Sequence, residues 1–207
     1  VDQFEPLQDL DYMIMINSLK DWIDSGDDEA ITGLSGAESS YYIDLDPPYE
    51  CRNAPIDSLG DLSRVKGFPP ELFSGLDGMT QISDYMTVYG MVPFGNEGFT
   101  FDGKININTA SVVVLAAILP DDYETYAQEM ADYRTEKADE TYVNDLTNIT
   151  WYKNVTGDDL TLDEALITGE SDLFRITSRA AISDSEMTVE TVVQRETDGE
   201  TGKWRCK

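Results

Sequence analysis

Histidine is missing from this chain altogether, and basic residues are scarce: 14 Lys and Arg stand against 41 Asp and Glu, a formal net charge of -27 over 207 residues. Without histidine there is no Ser-His triad and no His-ligated zinc, so an enzyme would have to work with carboxylates, lysine, tyrosine or a metal. The shortage of cations argues against nucleic acid, whose binding begins with neutralising phosphates, and against anionic membrane surfaces. Cysteine is limited to Cys51 and Cys206, which lie 155 residues apart in no metal-ligand spacing. Such a pair fits one disulfide in an oxidising compartment better than two idle thiols. The chain-entropy model gives about 4 to 5 kcal/mol for closing so long a loop. Long apolar runs are lacking too: a membrane span needs about 18 residues, and the best stretch, Ala110 to Leu119, is about half that. The chain opens on Val1 with no visible export signal, so a mature or truncated fragment is the simplest expectation.

What is present is enough to fold. Hydrophobic residues make up 41% of the chain, with three Trp, eleven Tyr and seven Phe, the apolar surface that disordered acidic chains lack. Acidity therefore describes the surface. It is densest in residues 21–50, which hold nine carboxylates and no Lys or Arg. Neighbouring carboxylates repel by about 1 kcal/mol per pair even in water, so wide spacing on a solvated face or a bound cation must offset them. The twelve-residue EF-hand pattern fails in two registers: a start at Asp21 puts Ile23 and Ser25 at ligand positions, and a start at Asp24 puts Glu29 where glycine belongs. An irregular calcium site using Asp24, Asp27, Asp28 and Glu38 stays open, while composition alone favours a solvated acidic face. Paired carboxylates for glycoside hydrolysis have no specificity in so acidic a chain. The acceptor sequons at Asn148 and Asn154 are equally weak signals in a segment rich in Asn and Thr.

Periodicity predicts a helix over residues 6–23, ending at Ser25-Gly26, then loop through residue 56. Asp57 reads as an N-cap, followed by a short helix, a glycine turn at Gly67 and a second helix with proline in its first turn. Together these make a helical hairpin. This hairpin and the Asn106-Ile107-Asn108-Thr109-Ala110-Ser111 segment resemble helix-hairpin-helix elements of DNA-binding proteins. Residues 57–77 carry four acids against Arg64 and Lys66, however, so the motif is read as scaffold. A strand-like run covers 85–92, a glycine-rich connector 95–103, a short strand 105–111, an apolar helix 112–119 and a polar helix 122–137. Residues 138–170 read as irregular. From Asp172 the pattern alternates with period two, predicting three antiparallel strands over 173–182, 187–194 and 203–206 that complete a sheet begun elsewhere.

One series of short blocks is specific when taken together. Asp21-Trp22-Ile23-Asp24, Gly36-Ala37-Glu38, Tyr41-Tyr42, Asp46-Pro47-Pro48-Tyr49, Asn53-Ala54-Pro55, Leu62-Ser63-Arg64-Val65-Lys66-Gly67-Phe68, Asn106-Ile107-Asn108-Thr109-Ala110 and Val114-Leu115-Ala116-Ala117 occur in this order. The series resembles the minor pseudopilin K family of type II secretion systems. The resemblance implies an α+β fold, with a large mostly helical domain of two sterile-alpha-motif-like (SAM-like) units attached to a partial antiparallel pilin-like sheet. The expected division is 1–100 and 101–170 for the two helical units and 171–207 for the sheet strands. It further implies a non-enzymatic periplasmic subunit at the pseudopilus tip, joined to minor pseudopilins I and J and anchored in the inner membrane by a helix missing before Val1. Calcium in the family's helical domain implies a site in the acidic loop. An extracellular calcium-dependent carbohydrate-binding or hydrolytic domain is the alternative from a different class.

Overall fold

The computed structural model describes residues 11–26, 31–74, 81–94, 98–101, 103–183, 185–196 and 203–206. It divides into two compact units, Val1–Thr100 and Phe101–Lys207. No described helix is long and apolar enough to cross a membrane.

In the first unit, α1 (Tyr12–Ile23) starts where Asp11 accepts the backbone N–H groups of Met13 at 2.9 Å and Ile14 at 3.2 Å, satisfying donors that a helix start leaves open. Its inward face carries Met15, Ser18 and Trp22, one helical turn apart, together with Asn17 and Asp21. A short helix α2 (Ser39–Ile43) follows within the stretch expected to be loop. Tertiary contact accounts for it: Tyr42 is fully buried, its ring 4.9 Å from Trp22 and stacked 5.3 Å from Tyr49. Five residues need such packing to hold a helix. A 3₁₀ turn at Leu59–Arg64 is capped by Ser58, one residue later than Asp57. It leads through Gly67 to α3 (Glu71–Ser74), which follows Pro69-Pro70. Gly67 has φ +88°, and a Cβ there would meet Ile14 and the Met15 backbone nitrogen at 3.0 and 3.2 Å. Trp22, Tyr42, Leu62, Val65, Phe68 and Leu72 form the core. The expected strand over 85–92 is displaced: a 3₁₀ turn occupies Ile82–Asp84, and β1 (Met91–Phe94) pairs with β2 (Gly98–Phe101) in a two-stranded ribbon. The expected connector thus contains a strand, consistent with the strand-forming Phe99, Thr100 and Phe101.

The second unit opens with β3 (Ile105–Asn106) and α4 (Val112–Ile118), whose N-cap Ser111 accepts the Val114 N–H at 3.3 Å. Pro120 follows the helix end. A 3₁₀ turn at Asp121–Tyr123 precedes α5 (Tyr126–Thr135), so the polar helix is shorter than its pattern predicts. The segment read as irregular holds a hairpin, β4 (Lys137–Ala138) with β5 (Thr141–Tyr142), then a 3₁₀ turn at Ile149–Tyr152, α6 (Lys153–Thr156) and β6 (Ile167–Thr168). β6 runs parallel to β3, Ile105 opposite Ile167. Asn108 fastens this unit: its amide donates to the Leu146 and Gly169 carbonyls at 3.3 and 3.0 Å, and its oxygen accepts the Trp151 indole N–H at 2.6 Å. Arg134 donates to the Ile107 and Ala110 carbonyls from α5, and burial pushes its pKa below the usual value.

The three terminal strands form as predicted. β7 (Leu173–Ile182), β8 (Ser185–Glu196) and β9 (Lys203–Cys206) make an antiparallel sheet in that order. Their register puts Phe174, Ile176, Ala180 and Ile182 on one face with Met187 and Val189, and Arg175, Thr177 and Arg179 on the other with Glu186 and Glu190. The whole is α+β, with short helices and small sheets.

Candidate metal centre

The site begins with an acid where an apolar residue belongs. Asp21 lies on the inward face of α1 and is 1% exposed. Its two carboxylate oxygens accept the Thr32 N–H at 2.9 and 3.2 Å. Asp24 stands one turn further on, at the exposed C-terminus of α1, so the two acids share one side of the helix. Glu38, at the N-terminus of α2, is 5% exposed. Carboxylate oxygens of Asp21, Asp24 and Glu38 all lie within 4.8 Å of one another.

The sequence expectation named Asp24, Asp27, Asp28 and Glu38. The fold brings Asp24 and Glu38 together and adds Asp21, while Asp27 and Asp28 lie outside the described residues. Asp21 carried a signal that EF-hand counting misses: a charged residue on an apolar helical face, three positions before another acid.

The loop between the helices is shaped around Asp21. A Cβ on Gly36 would sit 2.0 Å from Asp21 Oδ2 and 2.9 Å from both the nitrogen and the oxygen of Thr32, so only glycine fits this cradle. Gly36 N–H donates to Thr32 O at 3.1 Å. On the far side, Lys66 Nζ donates to the carbonyls of Ser35 and Gly36, each at 3.2 Å, beneath the Tyr41 ring at 4.8 Å. The Lys66 backbone N–H donates to the Tyr42 hydroxyl, whose pKa burial pushes above its ordinary value.

Cys51 is buried beside the cluster, its Sγ 3.5 Å from Asp21 O and 4.0 Å from Ala37 O. The Cys206 side chain lies outside the described residues.

Two buried carboxylates and a third at their edge repel one another, more strongly where water is excluded. Their oxygens are hard donors of the kind calcium takes, and a divalent cation held by all three would offset the repulsion. The donor set fits such an ion, and the glycine cradle seats one of its carboxylates. The arrangement can hold a cation.

Comparisons place this site within a known segment. Residues 7–83 match the family described as type II secretion system (T2SS), protein K. No curated protein matches the chain. A chain of the crystal structure of the GspK-GspI-GspJ complex from the enterotoxigenic Escherichia coli type 2 secretion system shares the fold. Its TM-score is 0.50 and its sequence identity 16%, and the match covers 94% of this chain and 62% of that one. The chain therefore spans less than two thirds of the length of that solved relative. The three carboxylates fall inside the segment, residues 7–83, that matches the type II secretion protein K family.

Proposed function

We propose that this chain is the periplasmic part of a minor pseudopilin that sits at the tip of the type II secretion pseudopilus and starts or caps the filament with minor pseudopilins I and J. The family match over residues 7–83 carries the reading. The structural relative, solved in a complex of GspK, GspI and GspJ, supports the choice of partners. In this reading the two helical units, 1–100 and 101–170, are SAM-like and stand on a partial pilin-like sheet, 171–207. The whole protein is anchored at the inner membrane. The role is steric and non-catalytic: a bulky acidic head at the end of the filament leaves no surface on which another subunit can stack.

Calcium would be held by Asp21, Asp24 and Glu38, where it would neutralise their charge. The carboxylates fix the end of α1 against the start of α2, so the loaded site braces the head. A disulfide between Cys51 and Cys206 belongs to the same proposal, as oxidation suits a periplasmic domain.

Co-purification tests the assembly role. The protein is expected to form a stoichiometric complex with purified minor pseudopilins I and J on gel filtration. No complex at concentrations on the order of tens of micromolar would count against the reading, because a specific assembly should be populated there. Intact mass with and without reductant and alkylation decides the disulfide: the oxidised protein should take up no alkylating groups, the reduced one two.

A further inference from the structure

We propose that Lys66 is a positioning residue for the cation site, its ammonium clamping the Ser35 and Gly36 carbonyls so that Glu38 faces Asp21 and Asp24. The inference rests on the cation reading above.

Lys66 lies far from the acidic cluster in sequence, yet a continuous set of bonds links it to the Asp21 carboxylate. Thr32 N–H donates to Asp21, Gly36 N–H donates to Thr32 O, and Gly36 O accepts from Lys66 Nζ. Gly36 is thus held at both its nitrogen and its oxygen while its Cα faces Asp21 Oδ2. Glu38 is two residues further on. The Lys66 backbone is itself fixed, by the Tyr42 hydroxyl on its N–H and by Gly67 packed against the Met15 backbone. Tyr41 over the ammonium confines the side chain further. Hydrogen bonds from a charged donor are among the stronger ones, and here two carbonyls share one.

A lysine near a cation site acts in two opposite ways. As a positive charge it repels an incoming cation, so its removal should tighten binding. As a clamp it preorganises the ligands, so its removal should loosen binding. The sign of the change distinguishes the two roles. Groups that orient metal ligands from outside the coordination shell typically change affinity by 10–100-fold.

The test is calcium titration calorimetry on the whole chain as wild type, Lys66→Met, Lys66→Gln and Lys66→Arg, with thermal midpoints in chelator. The clamp predicts about tenfold weaker calcium binding for K66M and K66Q. It predicts K66R within about threefold of wild type, because guanidinium can span both carbonyls. If K66M fails to fold in chelator, K66Q carries the same sign, because its shorter, uncharged side chain stays polar but falls short of the two carbonyls. Unchanged or tighter binding in K66M or K66Q overturns the clamp while leaving the cation site standing. So does a lowered midpoint in chelator with unchanged affinity. No calcium binding by wild type overturns both.

Discussion

Gly36 has no side chain because Asp21 occupies the space one would fill. Gly36→Ala places a methyl 2.0 Å from the carboxylate, with backbone atoms of Thr32 close behind. Overpacking of this kind costs about 1–3 kcal/mol, and chemical denaturation should show a loss of that size. A change of only a few tenths would mean that Asp21 swings aside freely, and the cradle argument would fail. Asn108 has the matching role in the second unit. Asn108→Ala strands the Trp151 indole N–H and releases two carbonyls, so a loss of about 2–3 kcal/mol is expected in the same measurement. Single residues were only partly legible in the sequence. Asp24 and Glu38 stood out as acids in a charge-dense loop. Asp21 did not stand out as a member of the cluster, because linear EF-hand spacing says nothing of two acids one turn apart on a helix. Lys66 escaped because its contacts lie about thirty residues away.

Elements whose periodicity is local were readable, and those that depend on distant partners were not. The α1 pattern, the apolar helix that follows residue 111, and the three terminal strands all carry their signal within a dozen residues. Helix α2 and the β3–β6 pair do not: the first exists because Tyr42 packs on Trp22, the second because Ile105 meets Ile167 from much later in the chain. The apolar face of β7 and β8 shows the same limit in reverse. Its alternation predicts burial, yet Ile182 is 79% and Met187 68% exposed. Contact with water means that these side chains add little to folding. The double substitution Ile182→Thr and Met187→Thr should therefore change stability by less than about 0.5 kcal/mol. It should also weaken the fluorescence of a dye that binds exposed apolar surface, since patches of this kind are where such dyes and partners attach. A destabilisation of 2 kcal/mol or more, on the order expected for core truncation, would show that the face is packed in solution.

Charge is distributed unevenly over the molecule. Thirty-four of the 41 acids precede residue 171, whereas the terminal strand region has seven acids and six bases. Self-repulsion therefore belongs to residues 1–170, and two different cation effects should relieve it. Monovalent salt screens all exposed charges over roughly 10 Å at 0.1 M, so the thermal midpoint should climb smoothly between low and moderate sodium chloride. Calcium at fixed ionic strength should add a second, saturable rise. A ligand that binds only the native state stabilises it by about 2.7 kcal/mol at a hundred times its dissociation constant. Asp21→Asn separates the two, because asparagine keeps an oxygen for the Thr32 N–H while removing one ligand charge. The variant should lose the calcium increment and keep the sodium one, both read by thermal unfolding in matched ionic strength. If calcium raises wild type and D21N equally, the ion acts through the general acidic surface and the three carboxylates are not its site.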